Sequence, residues 1–219
     1  MVHSNVAVLV IDVQRYYTDV TSPLVSYTDI LYPGSTRYLR NRLNAIVIPN
    51  IESILASARS MSIPIIYIRL CGSRSDRSDL HQNFRAFDET ALATAQMHVY
   101  PIASEPLSDV DLRIAPLPSD AVIDKTGYSA FHKTDLHQLL KARDISHLVI
   151  TGLTTSQCVN STARAAADYG YTTLMIEDAQ ADYDHRDHQA ALFASEPITG
   201  RAISTSELLA LLSTETDLL

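Results

Sequence analysis

The stretch HLVITGLTTSQCVNSTARAAADY, residues 147–169, decides how this chain folds. It opens with an apolar run, His147 to Thr151, that has the length and composition of a strand buried on both faces. A glycine turn follows, and residues 157–169 have the pattern of a helix with small side chains through its middle. The stretch therefore predicts a strand, a turn and a helix in direct succession, with Cys158 near the start of the helix.

Similar units occupy much of the remaining chain. Strands are predicted at 6–13, 63–68, 121–124 and 171–176, with a possible sixth near 202–203, and helices at 46–60, 134–143, 187–194 and 206–212. Strands that alternate with helices predict parallel βαβ units with right-handed crossovers, in an α/β fold whose sheet is covered on both faces. Because 219 residues fit one domain of ordinary to large size, we expect a single domain over residues 1–219.

Two long segments lack this alternation. Residues 14–44 are rich in tyrosine, and residues 71–118 are first polar and then rich in proline. Loops of this length usually serve binding or closure, so we expect irregular structure with such a role. Extra helical packing or a subunit interface is the alternative.

Composition limits the possible partners. The formal net charge of −8 argues against nucleic acid and against an anionic membrane surface, since both bind clustered Lys and Arg. The sequence holds no run of about 20 apolar residues that would predict a transmembrane helix, and residues 1–5 do not begin a signal peptide. Cys71 and Cys158 could pair, but nothing else suggests secretion. We expect a cytoplasmic protein with a small-molecule substrate.

Several chemically active residues fall at the carboxyl ends of predicted strands. Asp12 closes the first strand, Lys125 follows the third, and Thr151-Gly152 follow the fourth. Ligands of parallel sheets bind beyond these ends, so the three points should line one crevice. Each residue also has an ordinary explanation: a cap or loop anchor for Asp12, a solvated side chain for Lys125, and a small buried hydrophobe for Cys158.

Together, the three residue types can carry out nucleophilic catalysis. A thiol at a helix start faces unpaired backbone N–H groups, which favour the thiolate and can hold an oxyanion. The carboxylate of Asp12 can take the proton of Cys158 and later return it to a leaving amine. The ammonium group of Lys125 can hold both ionised groups close together, so that no histidine is required as the base.

The residues around these positions resemble the isochorismatase-like cysteine hydrolase superfamily. The matching segments are VLVIDVQ (8–14), KTGYSAFHKTDL (125–136), VITGLTTSQCVNSTARAAADYGY (149–171) and IEDA (176–179), the last followed by His188. They cover most of the chain outside the two irregular segments. The resemblance implies a three-layer α-β-α fold around a six-stranded, mostly parallel Rossmann-like sheet.

The resemblance also implies a site and its chemistry. It implies a catalytic triad of Asp12, Lys125 and Cys158, and a non-proline cis peptide between Leu153 and Thr154. The N–H groups of Thr154 and Cys158 would then form an oxyanion hole. Members of the superfamily are commonly homo-oligomers, so the resemblance further implies a dimer or tetramer.

Within the superfamily, Cys158 favours hydrolysis of a C–N bond. Isochorismatases that cleave a vinyl ether lack the cysteine, so its presence predicts an amide, carbamoyl or ureido substrate and a thioester intermediate. An isochorismatase-like or nicotinamidase-like reaction on another bond is one alternative. A non-catalytic binding module and a redox protein that uses Cys71 and Cys158 are the others.

The sequence does not predict a metal or another cofactor. Nicotinamidases follow their second strand with Asp-x-His and a further histidine, whereas Asp79-Leu80-His81 has no second histidine at short spacing. The acidic and histidine-rich cluster at 182–188 is interpreted as helix capping and surface charge.

Five residues are predicted to contact the substrate: Gln14, Arg69, Tyr128, Phe131 and Thr155. Arg69 could pair with a substrate carboxylate through a bidentate contact, and surface solvation is the alternative for it. Tyr128 and Phe131 lie close to Lys125 in the sequence and could wall a pocket, while the other two belong to the matching segments.

Overall fold

The computed structural model describes residues 5–214, and six parallel strands form one sheet at its centre. The strands are β1 (Val6–Ile11), β2 (Ile65–Leu70), β3 (Ala121–Lys125), β4 (His147–Leu153), β5 (Thr172–Ala181) and β6 (Ala202–Ile203). Their spatial order is β3-β2-β1-β4-β5-β6, and every neighbouring pair is parallel. The predicted α/β class and the six-stranded Rossmann-like sheet are confirmed.

Nine α-helices connect and cover the strands within residues 5–214. They are α1 (Arg15–Thr18), α2 (Pro23–Leu31), α3 (Arg37–Arg42), α4 (Ile48–Ser60), α5 (Gln82–Ala95), α6 (Leu136–Ala142), α7 (Asn160–Asp168), α8 (His185–Thr199) and α9 (Thr205–Ser213). A π-helical turn precedes α4 at Leu43–Val47 and another precedes α7 at Thr155–Val159, while Pro106–Ser108 and Leu112–Ile114 form short 3₁₀ turns.

The strand β1 shows how the layers form. Its sequence VAVLVI is buried along its whole length, because β2 and β4 flank its edges and helices cover both faces. Leu9 and Ile11 pack on one face in a cluster shared with α6 and α7, and Val8 and Val10 pack on the other with α4 and α9. Burial of each such side chain contributes about 1.5–3 kcal/mol, so the alternation of faces fixes the three layers.

The prediction of irregular structure is wrong for much of the two long segments. Residues 14–44 contain α1, α2 and α3, and residues 71–118 contain α5. Pro23 suggested irregular structure, but it stands in the first turn of α2, where proline is tolerated, and Ser22 caps that helix. The helical alternative is therefore correct for these parts.

The ends of the chain were also the subject of predictions. The prediction that residues 1–5 do not begin a signal peptide concerns residues 1–4, which lie outside the described residues. The predicted single domain includes residues 215–219, which also lie outside them. Among residues 5–214, no helix combines the length and apolar character needed to cross a membrane.

Candidate active site

The end of β1 places Asp12 at the carboxyl edge of the sheet. Its backbone N–H donates to the carbonyl of Ile68 on β2 at 2.9 Å, and its φ of 53° turns the chain out of the strand. Gln14 then holds this turn, because its side-chain amide donates to the carbonyls of Leu70 and Ser108 and accepts from the N–H of Leu70. These contacts fix the backbone of the turn, and the Asp12 side chain that it carries is buried.

Lys125 is the last residue of β3 and stands in register with Leu70 of β2. Its side chain is completely buried, and its Nζ donates to Oδ2 of Asp12 at 2.8 Å, the carbonyl of Gly127 at 2.9 Å and Sγ of Cys158 at 3.2 Å. All three ammonium hydrogens therefore have acceptors. The lysine bridges two groups that are 146 positions apart, Asp12 and Cys158.

The turn after β4 brings Cys158 to the same place. Gly152 pairs with Ile11 of β1 at a φ of +111°, and a Cβ atom there would lie 2.0 Å from the Ile11 carbonyl oxygen. The peptide between Leu153 and Thr154 is cis, as the resemblance implied. Cys158 follows in the π-helical turn that opens α7 and is 5 % exposed.

Electrostatics in this cluster favour a neutral thiol beside a basic carboxylate. Burial raises the pKa of Asp12, and the attraction of Lys125 offsets this only in part. Burial raises the pKa of Cys158, Asp12 raises it further, and Lys125 opposes both. Burial lowers the pKa of Lys125, but Asp12 and Cys158 raise it above its usual value, so the ammonium form persists. Burial and Asp12 therefore oppose the thiolate that the helix start was expected to favour, and Lys125 supports it.

Tyrosine rings surround the cluster, and the sequence analysis did not select them as site residues. Tyr16 in α1 is completely buried, and its ring centroid lies 4.5 Å from that of Tyr17 and 6.2 Å from that of Tyr100. Burial raises the pKa of Tyr16 well above its usual value, and Asp12 and Cys158 add to the effect. The only available signal was position: Tyr16 and Tyr17 follow Asp12 at short spacing, whereas Tyr100 lies far away in the sequence.

Three buried oxygen atoms around the cluster lack a hydrogen-bond partner among residues 5–214. They are Oδ1 of Asp12, Oη of Tyr16 and Oγ1 of Thr154. Buried polar atoms in folded proteins are nearly always bonded, so such a group near a nucleophile marks a place where polar ligand atoms can bind.

The predicted substrate contacts are only partly near this cluster. Arg69 forms a bidentate pair with Asp124 at 2.8 and 3.0 Å, one residue before Leu70 and Lys125 in the strand register. Because side chains alternate along a strand, the Arg69 side chain points to the opposite face from Lys125. Gln14 uses its amide for the backbone contacts described above, and the substrate contacts of both residues stay predictions.

The remaining predicted contacts have other neighbours. Phe131 stacks on Tyr169 and Tyr171, just beyond the C-terminal end of α7 and away from the turn that carries Cys158. Tyr128 packs against Phe84 and lies 5.0 Å, centroid to centroid, from His81. Oγ1 of Thr155, three residues before Cys158, is completely buried and bonded to Nδ1 of His188 at 2.7 Å.

A cavity of about 770 Å³ opens next to the loop that follows Lys125, and its lining does not include Asp12, Lys125 or Cys158. Its lining includes Thr126 and Gly127, the latter the carbonyl partner of Lys125, together with Arg74, His81 and Lys133. The cavity therefore adjoins the loop that holds the lysine, and its size suits a small molecule.

Neither histidine pattern from the sequence forms a cluster with metal-binding geometry. Asp79 accepts hydrogen bonds from the backbone and hydroxyl of Ser73, and His81 caps α5. Over the range 5–214, no group of three or more His, Cys, Asp and Glu side chains could hold a metal ion. Cys71 and Cys158 are both free thiols.

The parallel sheet is doubly wound, and its carboxyl edge holds a carboxylate, an ammonium group and a thiol in contact. These features define the class of this molecule, an α/β protein with a Cys-Lys-Asp site. The family model of the isochorismatase domain matches residues 6–207, and the chain belongs to this family of hydrolases. The resemblance noted in the sequence is confirmed.

Individual relatives agree with this assignment. The chain is 33% identical over 205 residues to the ureidoacrylate amidohydrolase RutB of Cronobacter turicensis, with 89% of this chain and 82% of that protein covered. It is 35% identical over 92 residues to the uncharacterized isochorismatase family protein YrdC of Bacillus subtilis, which covers 42% of this chain and about half (49%) of that protein. The crystal structure of a cysteine hydrolase from Pseudomonas syringae pv. phaseolicola superimposes with a TM-score of 0.78 at 24% identity, over 97% of this chain and 94% of that one.

Proposed function

We propose that this protein hydrolyses the C–N bond of a small amide, carbamoyl or ureido compound through a thioester at Cys158. The observation that carries the proposal is the position of the Lys125 ammonium group, 2.8 Å from the Asp12 carboxylate and 3.2 Å from the Cys158 sulfur. This contact joins a base, a cation and a nucleophile in a buried site, which is the arrangement that covalent catalysis requires.

In the first step, the thiol proton passes to Asp12 as the sulfur attacks the substrate carbonyl carbon. The raised pKa of Asp12 makes its carboxylate a stronger base than an exposed aspartate, and Lys125 stabilises the sulfur as it becomes negative. An S–C bond forms, and the carbonyl oxygen takes the negative charge. In the proposed geometry the N–H groups of Thr154 and Cys158 donate to this oxyanion.

Collapse of the tetrahedral intermediate breaks the C–N bond. The amine leaves with the proton that Asp12 received, so the carboxylate is restored and the acyl or carbamoyl group remains on sulfur. Water then attacks the thioester after giving a proton to Asp12, and the thiolate leaves and recovers that proton. The sum is one water consumed, with an amine and an acid or carbamate released.

Two further observations support this substrate class. Tyr16 has a buried hydroxyl without a partner among residues 5–214, and the C=O group of an amide or ureido compound offers an acceptor for it. The relative RutB is a ureidoacrylate amidohydrolase, and amide hydrolysis also cleaves a C–N bond.

A substrate panel with a cysteine variant tests the proposal. Carboxamides, N-carbamoyl amino acids and ureido acids are incubated with the protein, and ammonia release and the intact mass of the protein are followed. Cys158→Ala is expected to abolish release and the acyl-enzyme mass increase, with an unchanged circular dichroism spectrum. Cys71→Ala, which removes the other free thiol, serves as the control and should retain activity. Full turnover by Cys158→Ala would refute the proposal.

A further inference from the structure

A buried histidine stands behind the turn that carries the nucleophile and has no role in the chemistry described so far. His188 lies in α8 and is completely buried. Its Nδ1 is 2.7 Å from Oγ1 of Thr155, and its Nε2 is 3.2 Å from Nη2 of Arg42. The histidine thus joins the nucleophile turn to a residue at the end of α3.

The chemistry of the partners fixes the direction of these hydrogen bonds. A guanidinium group can only donate, so we assign Nε2 of His188 as the acceptor from Arg42 and place the ring hydrogen on Nδ1. The Nδ1–H group then donates to the hydroxyl oxygen of Thr155. Burial, Arg42 and His185 lower the pKa of His188 to about 4, and a hydrogen bond with the Glu177 carbonyl opposes them only in part, so the ring is neutral at neutral pH.

Arg42, which donates to His188, is itself held by backbone carbonyls. Nε of Arg42 donates to the carbonyl of Gln180 at 3.0 Å, and Nη2 donates to the carbonyl of Glu177 at 2.9 Å. Both carbonyls belong to β5, so Arg42 is held by the sheet and holds His188 in turn.

Thr155, which is bonded to His188, lies in the sequence between the two residues proposed to bind the oxyanion. Thr155 directly follows Thr154 and precedes Cys158 by three residues. The N–H of the next residue, Ser156, donates to Oδ2 of Asp182 at 2.6 Å. Two consecutive residues of the turn are therefore attached to the segment from β5 to α8, one through the backbone and one through the Thr155 side chain.

We propose that His188, oriented by Arg42, is a positioning residue that holds Thr155 and thereby aims the N–H groups of Thr154 and Cys158 at the oxyanion. This inference rests on the proposed function, since it requires acyl transfer to Cys158. On this proposal, His188 helps to stabilise the charge on the substrate oxygen and does not change the reactivity of the Cys158 sulfur.

Two reactions of the same thiol separate these effects. With 4-nitrophenyl acetate, the sulfur bonds to the acetyl carbon, an oxyanion forms and nitrophenolate leaves. With iodoacetamide, the sulfur bonds to the methylene carbon and iodide leaves, so no oxyanion forms. In both reactions the thiol proton passes to Asp12.

The proposal predicts that His188→Leu and Thr155→Val slow the nitrophenolate burst about tenfold or more. The rate at which iodoacetamide alkylates these variants should stay within twofold of the rate for the unmodified protein. Both variants remove the same hydrogen bond, between His188 and Thr155. The burst of the double variant should therefore be no slower than that of the slower single variant. His188→Asn, whose amide can still donate to Thr155, should recover most of the burst rate, and the exposed control His185→Asn should not change it.

Other results would overturn either the positioning role of His188 or the proposed function. Unchanged bursts in His188→Leu and Thr155→Val, or equal slowing of burst and alkylation, would overturn the positioning role. Additive losses in the double variant would show that the two residues act separately and would also overturn it. If His188→Leu does not fold, Thr155→Val, which replaces one oxygen by a methyl group, decides alone. Absence of a Cys158-dependent burst in the unmodified protein would instead refute the proposed function itself, and the inference with it.

Discussion

At the scale of single residues, the hydroxyl of Tyr16 connects stability with activity. It is buried beside Asp12 and Cys158 and has no partner among residues 5–214. An unsatisfied buried polar group costs about 1–3 kcal/mol, whereas a substrate carbonyl could supply the missing acceptor. We therefore expect Tyr16→Phe to raise the free energy of unfolding by about 1 kcal/mol and to lower kcat/KM about tenfold. Urea unfolding and steady-state kinetics on the best substrate of the panel measure the two effects.

Tyr27 provides the matched control for this prediction. Its hydroxyl is bonded to Oγ1 of Thr94 at 3.0 Å, within a cluster that includes Phe87. Tyr27→Phe should lose about 1 kcal/mol of stability and keep its kcat/KM. If Tyr16→Phe were less stable and fully active, the Tyr16 hydroxyl would have a structural role only.

At the scale of secondary-structure elements, the contact between β1 and β4 holds the site together. Gly152 lies against Ile11 so closely that a Cβ atom would be 2.0 Å from the Ile11 carbonyl oxygen, and its φ is +111°. Gly152→Ala must therefore separate the two strands at the point where Asp12 and the nucleophile turn begin. We expect a loss of at least about 3 kcal/mol in the free energy of unfolding, and loss of hydrolysis in whatever fraction folds.

Gly170 separates this steric effect from the conformational preference of glycine. Its φ is +83°, but a Cβ atom there would meet no atom within 4 Å. Gly170→Ala should cost about 1 kcal/mol and leave the rate of hydrolysis unchanged. Equal losses for the two variants in a thermal unfolding experiment would contradict the role given to close strand contact.

The elements themselves differ in how far the sequence predicts them. The strands around Leu9 and Ile150 are predictable because continuous apolar runs have few alternatives to a buried strand. The helix α5 was missed because it is amphipathic with a largely exposed, polar face and stands between polar and proline-rich stretches. Its position depends on packing of Phe84 and Ala91 against the core, a tertiary effect that local periodicity does not contain.

At the scale of the whole molecule, sheet order determines which sequence-predicted residues meet. The rule that ligands bind at the carboxyl ends of parallel strands predicted that Asp12, Lys125 and the turn at Thr151-Gly152 share one edge, and the family resemblance added Cys158, which lies in contact with Lys125. It could not predict the neighbour of Arg69, since that depends on β2 pairing with β3 in a register that opposes Arg69 to Asp124. Nor could it predict that full burial raises the pKa of the Cys158 thiol, because burial is a property of the assembled layers.

The same burial makes the stability of the whole fold depend on pH through His188. Its pKa is about 4 in the folded protein and 6.5 in an ordinary setting, so between these values the unfolded chain binds a proton that the folded protein does not. Stability is therefore lost as the pH falls from 6.5 to about 4, by up to about 3 kcal/mol. The variant His188→Leu has no such proton to bind. The difference in unfolding free energy between the unmodified protein and this variant should shrink by about that amount when urea unfolding is repeated from pH 7 down to pH 4. Parallel pH profiles for His188→Leu and the unmodified protein would show that His188 is protonated as readily in the fold as in the unfolded chain, and would contradict the lowered pKa assigned to the buried ring.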